Sequence, residues 1–196
     1  YKEDIETGTK SAAAGGYTLV CCMANTDPVN DSLAVTEYIQ RRARDNAVVN
    51  VHTMAAMTKG LAGQEMTEIG LLKRAGAIAF TNGKTSVANT KVMRNALLYA
   101  KDHGALIVHH TEDPGLSTGA AVNSGEVATR LGLPGVHKAA ETIVLERDVR
   151  LVALGSGGLQ MLVGSPAYSF GMADLLREWN DLAGAEQHMA QGMELI

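Results

Sequence analysis

Ala105-Leu106-Ile107-Val108-His109-His110-Thr111-Glu112-Asp113-Pro114 decides how the rest of the chain is read. Its first half is a continuous apolar run, the pattern of a strand buried on both faces of a parallel sheet. It then breaks abruptly into a polar string beginning at His110. Just upstream, Asn89 or Thr90 caps a helix that runs to about residue 103 and stops at Gly104. Helix, apolar strand and polar strand end form a unit, and the same unit recurs on both sides.

Toward the amino end, residues 2–14 read as a helix closed by Gly15-Gly16, and residues 17–23 as a buried strand. A polar loop with Pro28 follows, and Asp31 or Ser32 caps a helix to about Asn46. Residues 48–56 are strand-like, Thr67 caps a short helix through Arg74, and residues 77–80 form a strand ending in Thr81-Asn82-Gly83-Lys84. Toward the carboxyl end come helices near 126–130 and 138–154, a strand at 159–163 and a closing helix near 172–183. Roughly five strand–helix units with short connections predict an α/β fold with an all-parallel sheet and helices outside it. A closed eight-unit barrel needs about 250 residues, so the expectation is an incomplete parallel (β/α) barrel with about five units of eight.

Composition narrows the function classes. Hydrophobic residues make up 46% of the 196 and charged residues 19%, which excludes a disordered chain. The net charge is −4 and no run of Lys or Arg exists, which argues against nucleic-acid and polybasic membrane surfaces. The apolar runs fall short of a membrane span and the amino end shows no signal-peptide core. A soluble, globular, cytoplasmic protein is expected. Cys21 and Cys22 are neighbours in an apolar run, with no CxxC spacing, and read as thiols in a buried strand. The first residue is not Met, so the chain is expected to begin inside a longer one.

The polar residues at the strand ends are the candidate site. Asn25 follows the first strand, Asn82 the third and His110 the fourth, while His52 lies within the second. Carboxyl ends of parallel strands are where barrels and open α/β sheets place their chemistry. Each residue also has a plainer reading. Asn25 before Thr26-Asp27-Pro28 can initiate a turn, and Asn82-Gly83 is a strong turn dipeptide. His110 can be a hydrogen-bonded histidine, and His109, on the opposite strand face, is expected to be structural. His103, His137 and His188 are expected in solvated positions, and Met54, Met57, Met66 and Met93 in the core.

Several longer strings then act together. Lys2-Glu3-Asp4-Ile5-Glu6-Thr7-Gly8-Thr9 leads into Ala12-Ala13-Ala14-Gly15-Gly16-Tyr17-Thr18 and Met23-Ala24-Asn25-Thr26-Asp27-Pro28-Val29. Later come Glu68-Ile69-Gly70-Leu71-Leu72-Lys73, His110-Thr111-Glu112-Asp113-Pro114 and Gly125-Glu126-Val127-Ala128-Thr129-Arg130-Leu131-Gly132-Leu133-Pro134-Gly135. In this order and spacing, over about residues 1–154, the chain resembles the bacterial dihydroorotases of the amidohydrolase superfamily. The resemblance implies an amidohydrolase-type (β/α) barrel that interconverts carbamoyl-aspartate and dihydroorotate in pyrimidine biosynthesis. It also implies zinc, which lowers the pKa of bound water to about 7 and so supplies hydroxide for cyclic amide hydrolysis. By the same resemblance His110 binds metal, Asn25 binds the substrate carboxylate, and Asn82 stands where the family has a metal-ligating Asp.

Departures gather at the site. The family's His-x-His-x-Arg string is absent, Gln160 lies where the strand after Gly157-Gly158 would carry a zinc-binding His, and Asn82 offers a neutral amide for an anionic ligand. Residues 1–158 are therefore expected to be a partial barrel. Residues 159–196, a strand plus helix of the same domain, carry no resemblance. The chain alone is expected to lack part of its metal centre and to be inactive. The alternatives are a non-catalytic homologue that scaffolds aspartate transcarbamoylase, or a degenerate copy. Open sheet edges predict association, as a homo-oligomer or with a partner.

Overall fold

A computed structural model describes residues 3–155 and the strand 161–164. Helix α1 (Ile5–Ala14) is started by a capping box, in which the Thr7 amide donates to Asp4 Oδ1 at 2.8 Å and the Asp4 amide to Thr7 Oγ1 at 3.1 Å. The helix therefore begins three residues later than its apolar pattern suggested. Strand β1 (Leu19–Cys22) and helix α2 (Leu33–Asn46) follow, then β2 (Asn50–Ala56), a single 3₁₀ turn (Lys59–Leu61) and α3 (Ile69–Arg74). Next are β3 (Ala77–Thr81), α4 (Thr90–Asp102) and β4 (Leu106–His110). The connection after β4 holds α5 (Pro114–Ser117), a pair of two-residue strands, β5 (Val122–Asn123) and β6 (Gly135–Val136), and α6 (Glu126–Leu131). It ends in α7 (Ala139–Leu154), and β7 (Met161–Gly164) closes the series.

The main sheet has the order β1-β2-β3-β4-β7 and every pairing in it is parallel. Sequential parallel neighbours joined through helices are the repeat of a (β/α) barrel, and these strands form part of one. Phe80 and Ile107 from the sheet pack with Ile69 and Leu72 of α3 and with Met93, Ala96, Leu97 and Ala100 of α4. The α4 positions fall at spacings of three and four, one stripe of a helix turned to the sheet. Met54, Met57 and Met93 are buried, as core methionines should be. The Asn89 side chain caps α4 through the Lys91 and Val92 amides.

Two expectations are corrected. Residues 17–23 are no fully buried strand, because β1 lies at an edge of the described sheet, with Leu19 43% exposed and Cys21 and Cys22 half-buried. Thr67 does not cap α3; its hydroxyl points back and donates to the Ala56 carbonyl at 2.6 Å. His103, at the carboxyl end of α4, is part-buried: it stands edge-on to Tyr99 and lies so close over Gly70 that a Cβ there would meet its ring at 2.5 Å. His52 is an exposed residue in the first half of β2, away from the strand's carboxyl end. The expected closing helix near 172–183, His188 and Gln160 lie outside the described residues.

Candidate active site at the carboxyl ends of the strands

Because β1 to β4 run parallel, Asn25, the 3₁₀ turn, Asn82 and His110 all emerge on one rim of the sheet. The loop after β1 is held from within. Asn30, fully buried, donates its amide N–H to Ala24 O at 3.0 Å and its side-chain amide to Met54 O at 2.9 Å. Its Oδ1 accepts from Thr36 Oγ1 at 2.7 Å. With Asn30 spent on the scaffold, the loop presents Asn25 exposed to solvent, beside Gly83 of the next loop but one.

Asn82 is a different kind of residue from the one its turn dipeptide suggests. It is 1% exposed, and both ends of its amide are engaged. Oδ1 accepts from Thr58 Oγ1 at 2.5 Å, and Nδ2 donates to Leu61 O at 3.0 Å. Thr58 Oγ1 in turn accepts from the Gly63 amide at 2.9 Å. Leu61 has φ +58°, a left-handed conformation that a branched side chain resists, so Asn82 grips a strained turn by its carbonyl. Gly83 supplies the positive φ of +64° that lets the chain leave β3 at this point.

His110 ends β4 on the face opposite His109, and its Nε2 lies 3.2 Å from Glu112 Oε2, both side chains part-buried. Asp113, next in the same string, caps α5 by accepting from the Gly115 and Leu116 amides, so it serves the backbone. His109 is fully buried, as its place on the other face implied. It bonds to Asp148 of α7 and to the backbone of the loop after Asn82. Sequence reasoning gave no structural role to Asn30, Thr58 or Asp148. Asp148 left a signal, since it continues the buried stripe Ala140, Val144, Leu151 of α7, where a carboxylate demands a partner.

A zinc centre takes four donors from His, Cys or carboxylate side chains, fewer only where water completes the shell. Among the described residues no three such side chains converge. Of the residues the sequence nominated, His110 is suited to a metal, whereas the Asn82 oxygen is neutral and already accepts a hydrogen bond. The described residues therefore do not fit a complete zinc centre. An open groove at the opposite, amino end of the strands, between α1 and α2, is lined by Tyr17, Gln40, Arg44 and Val48 and touches none of the rim residues.

The fold is similar to part of the barrels of solved hydantoinases. L-hydantoinase (dihydropyrimidinase) from Arthrobacter aurescens matches with a TM-score of 0.61 at 19% identity, over 82% of this chain and 36% of that one. D-hydantoinase from Bacillus sp. AR9 matches with a TM-score of 0.56 at 20% identity, over 82% and 36%. The family follows from the sequence relatives. The dihydro-orotase-like family model matches residues 1–162. Dihydroorotase of Caldicellulosiruptor saccharolyticus is 41% identical over 179 residues, 91% of this chain and 42% of that protein. That of Syntrophobacter fumaroxidans is 48% identical over 161 residues, 82% and 37%. The chain belongs to the dihydroorotase-like family, and it spans about two fifths of the length of these relatives.

Proposed function

We propose that this chain forms the part of a dihydroorotase-type barrel that binds the acidic end of the substrate and supplies one histidine to the reaction centre. The substrate would be dihydroorotate or carbamoyl-aspartate, and the reaction the reversible hydrolysis of a cyclic amide in pyrimidine biosynthesis. The observation that carries the reading is the rim itself: Asn25 is exposed on a loop that Asn30 braces, and His110 stands oriented by Glu112 at the same ends of the strands. A pre-braced loop costs little further ordering when a carboxylate binds its amide. His110 is the residue here suited to zinc, and a working centre needs further ligands from beyond the described residues. Zinc, when bound, would supply hydroxide at neutral pH.

The test is turnover of dihydroorotate by the full-length polypeptide with and without Asn25→Ala. Loss of a hydrogen bond to a charged carboxylate raises KM by about 10–100-fold, with kcat nearly unchanged. An unchanged KM would remove Asn25 from the site.

A second reading draws on Asn82. An amide engaged at both ends by Thr58 and Leu61 suits a homologue that has given up metal chemistry and serves as a scaffold, with aspartate transcarbamoylase as the expected partner. A full-length polypeptide that binds no zinc, turns over no dihydroorotate and co-purifies with the transcarbamoylase would favour this reading over the first.

A further inference from the structure

Behind the rim, three segments, α7, β4 and the loop 82–89, meet at one buried point. The Val87 amide donates to His109 Nε2 at 2.9 Å, so that nitrogen carries no proton and His109 holds its proton on Nδ1. Nδ1 faces Asp148 Oδ2 at 2.6 Å, and both side chains are wholly buried. Asp148 Oδ1 accepts from Arg147 Nε at 2.9 Å and Nη2 at 2.7 Å. The third guanidinium nitrogen, Nη1, donates to the Ala88 carbonyl at 3.1 Å. One network, rooted in α7, thus holds two consecutive residues of the loop 82–89 by their backbone, Val87 through β4 and Ala88 directly.

We propose that His109 and Asp148, with Arg147, are positioning residues that set where the rim loop 82–89 stands beside Asn25 and His110. The inference rests on reading the rim as the binding site. The first residue of the loop is fastened by Asn82 to Leu61 and Thr58. Its middle has no such tie: Ser86 Oγ is buried and bonds to nothing among the described residues. Between there and the Asn89 cap of α4, the loop is held at Val87 and Ala88, both by the same ionic network. Apolar side chains of similar volume would join helix to strand at no desolvation cost. What a fully bonded charged network adds is direction, and here the direction is toward loop backbone.

The experiment is hydrogen exchange, resolved to single amides by NMR, on the full-length polypeptide and on His109→Phe, His109→Gln and Asp148→Asn. In the wild type the Val87 amide is protected and the His109 ring shows the nitrogen signature of a proton on Nδ1. His109→Phe and Asp148→Asn speed Val87 exchange by about tenfold or more, while amides of β2, β3 and α4 keep their rates. His109→Gln, whose amide both donates and accepts, restores protection. Where the protein turns over dihydroorotate, KM follows the same order of variants. An unprotected Val87 amide in the wild type, or a uniform rise over all strands with no rescue by Gln, overturns the proposal. A polypeptide without turnover would sink the functional reading alone, because the exchange rates still decide this one.

Discussion

An edge strand and an interior strand of the sheet are built from similar sequence and end in different environments. Leu19-Val20-Cys21-Cys22 and Leu106-Ile107-Val108-His109 are both short apolar runs that lead into a polar loop. In β4, which has a strand on each side, Ile107 and His109 are fully buried against helices. In β1, at the edge of the described sheet, Leu19 stays more than two fifths exposed, as does Met23 just after the strand, and the two thiols are half-buried. The loops differ in step. The loop after β3 is fastened through side chains of β4, α7 and the turn after β2, whereas the loop after β1 is braced by its own Asn30 and leaves Asn25 open. A strand's neighbours, more than its own residues, decide whether the polar group at its end becomes scaffold or stays available.

The sharpest way to break this comparison is a paired truncation. Phe80→Ala in the buried centre is expected to cost about 3–5 kcal/mol in denaturant unfolding, through lost burial and the cavity it leaves. Leu19→Ala on the open flank should stay within about 0.5 kcal/mol, as surface changes do. Equal costs would show that β1 is covered in solution. A smaller effect is expected from Asn82→Asp. A carboxylate still accepts from Thr58 but cannot donate to Leu61 O, and it turns a negative charge toward that carbonyl. The expected loss is about 1–3 kcal/mol, read from thermal melting in metal-free buffer. A variant as stable as the parent would mean that the turn does not depend on this amide.

The smallest effect concerns the thiols of β1. Partial burial raises the pKa of Cys21 and of Cys22, and the neighbouring Cys21 raises that of Cys22 further. A raised pKa leaves less thiolate at pH 8, so iodoacetamide should alkylate both more slowly than an unstructured cysteine, with rates that climb as pH rises. Alkylation at the unstructured rate would place β1 more open than the half-burial of these residues implies.

The helix α4 and its Asn89 cap were legible because cap, stripe and stop signal all lie within one short window. The strands were legible as apolar runs, and the alternation of His109 and His110 follows from the pleat alone. The rim position of Asn25, Asn82 and His110 followed too, once the sheet was read as parallel. What was not legible is which of these side chains is free. Asn82-Gly83 has the local form of a surface turn, yet Asn82 is buried by Thr58 and Leu61, over twenty residues away in sequence. Thr67 carries the local form of a helix cap and is drawn off by the Ala56 carbonyl instead.

By itself the sequence determined the alternation of strands and helices in the main sheet, its parallel order and the family, because these rest on periodicity, turn residues and strings that are contiguous along the chain. Only the tertiary structure decided that Asn82 is a clasp, that Asn25 stands open and that His109 answers to Asp148. Those outcomes depend on hydrogen-bond partners as far as 39 residues apart, brought together by the stacking of parallel units and recorded in no local pattern.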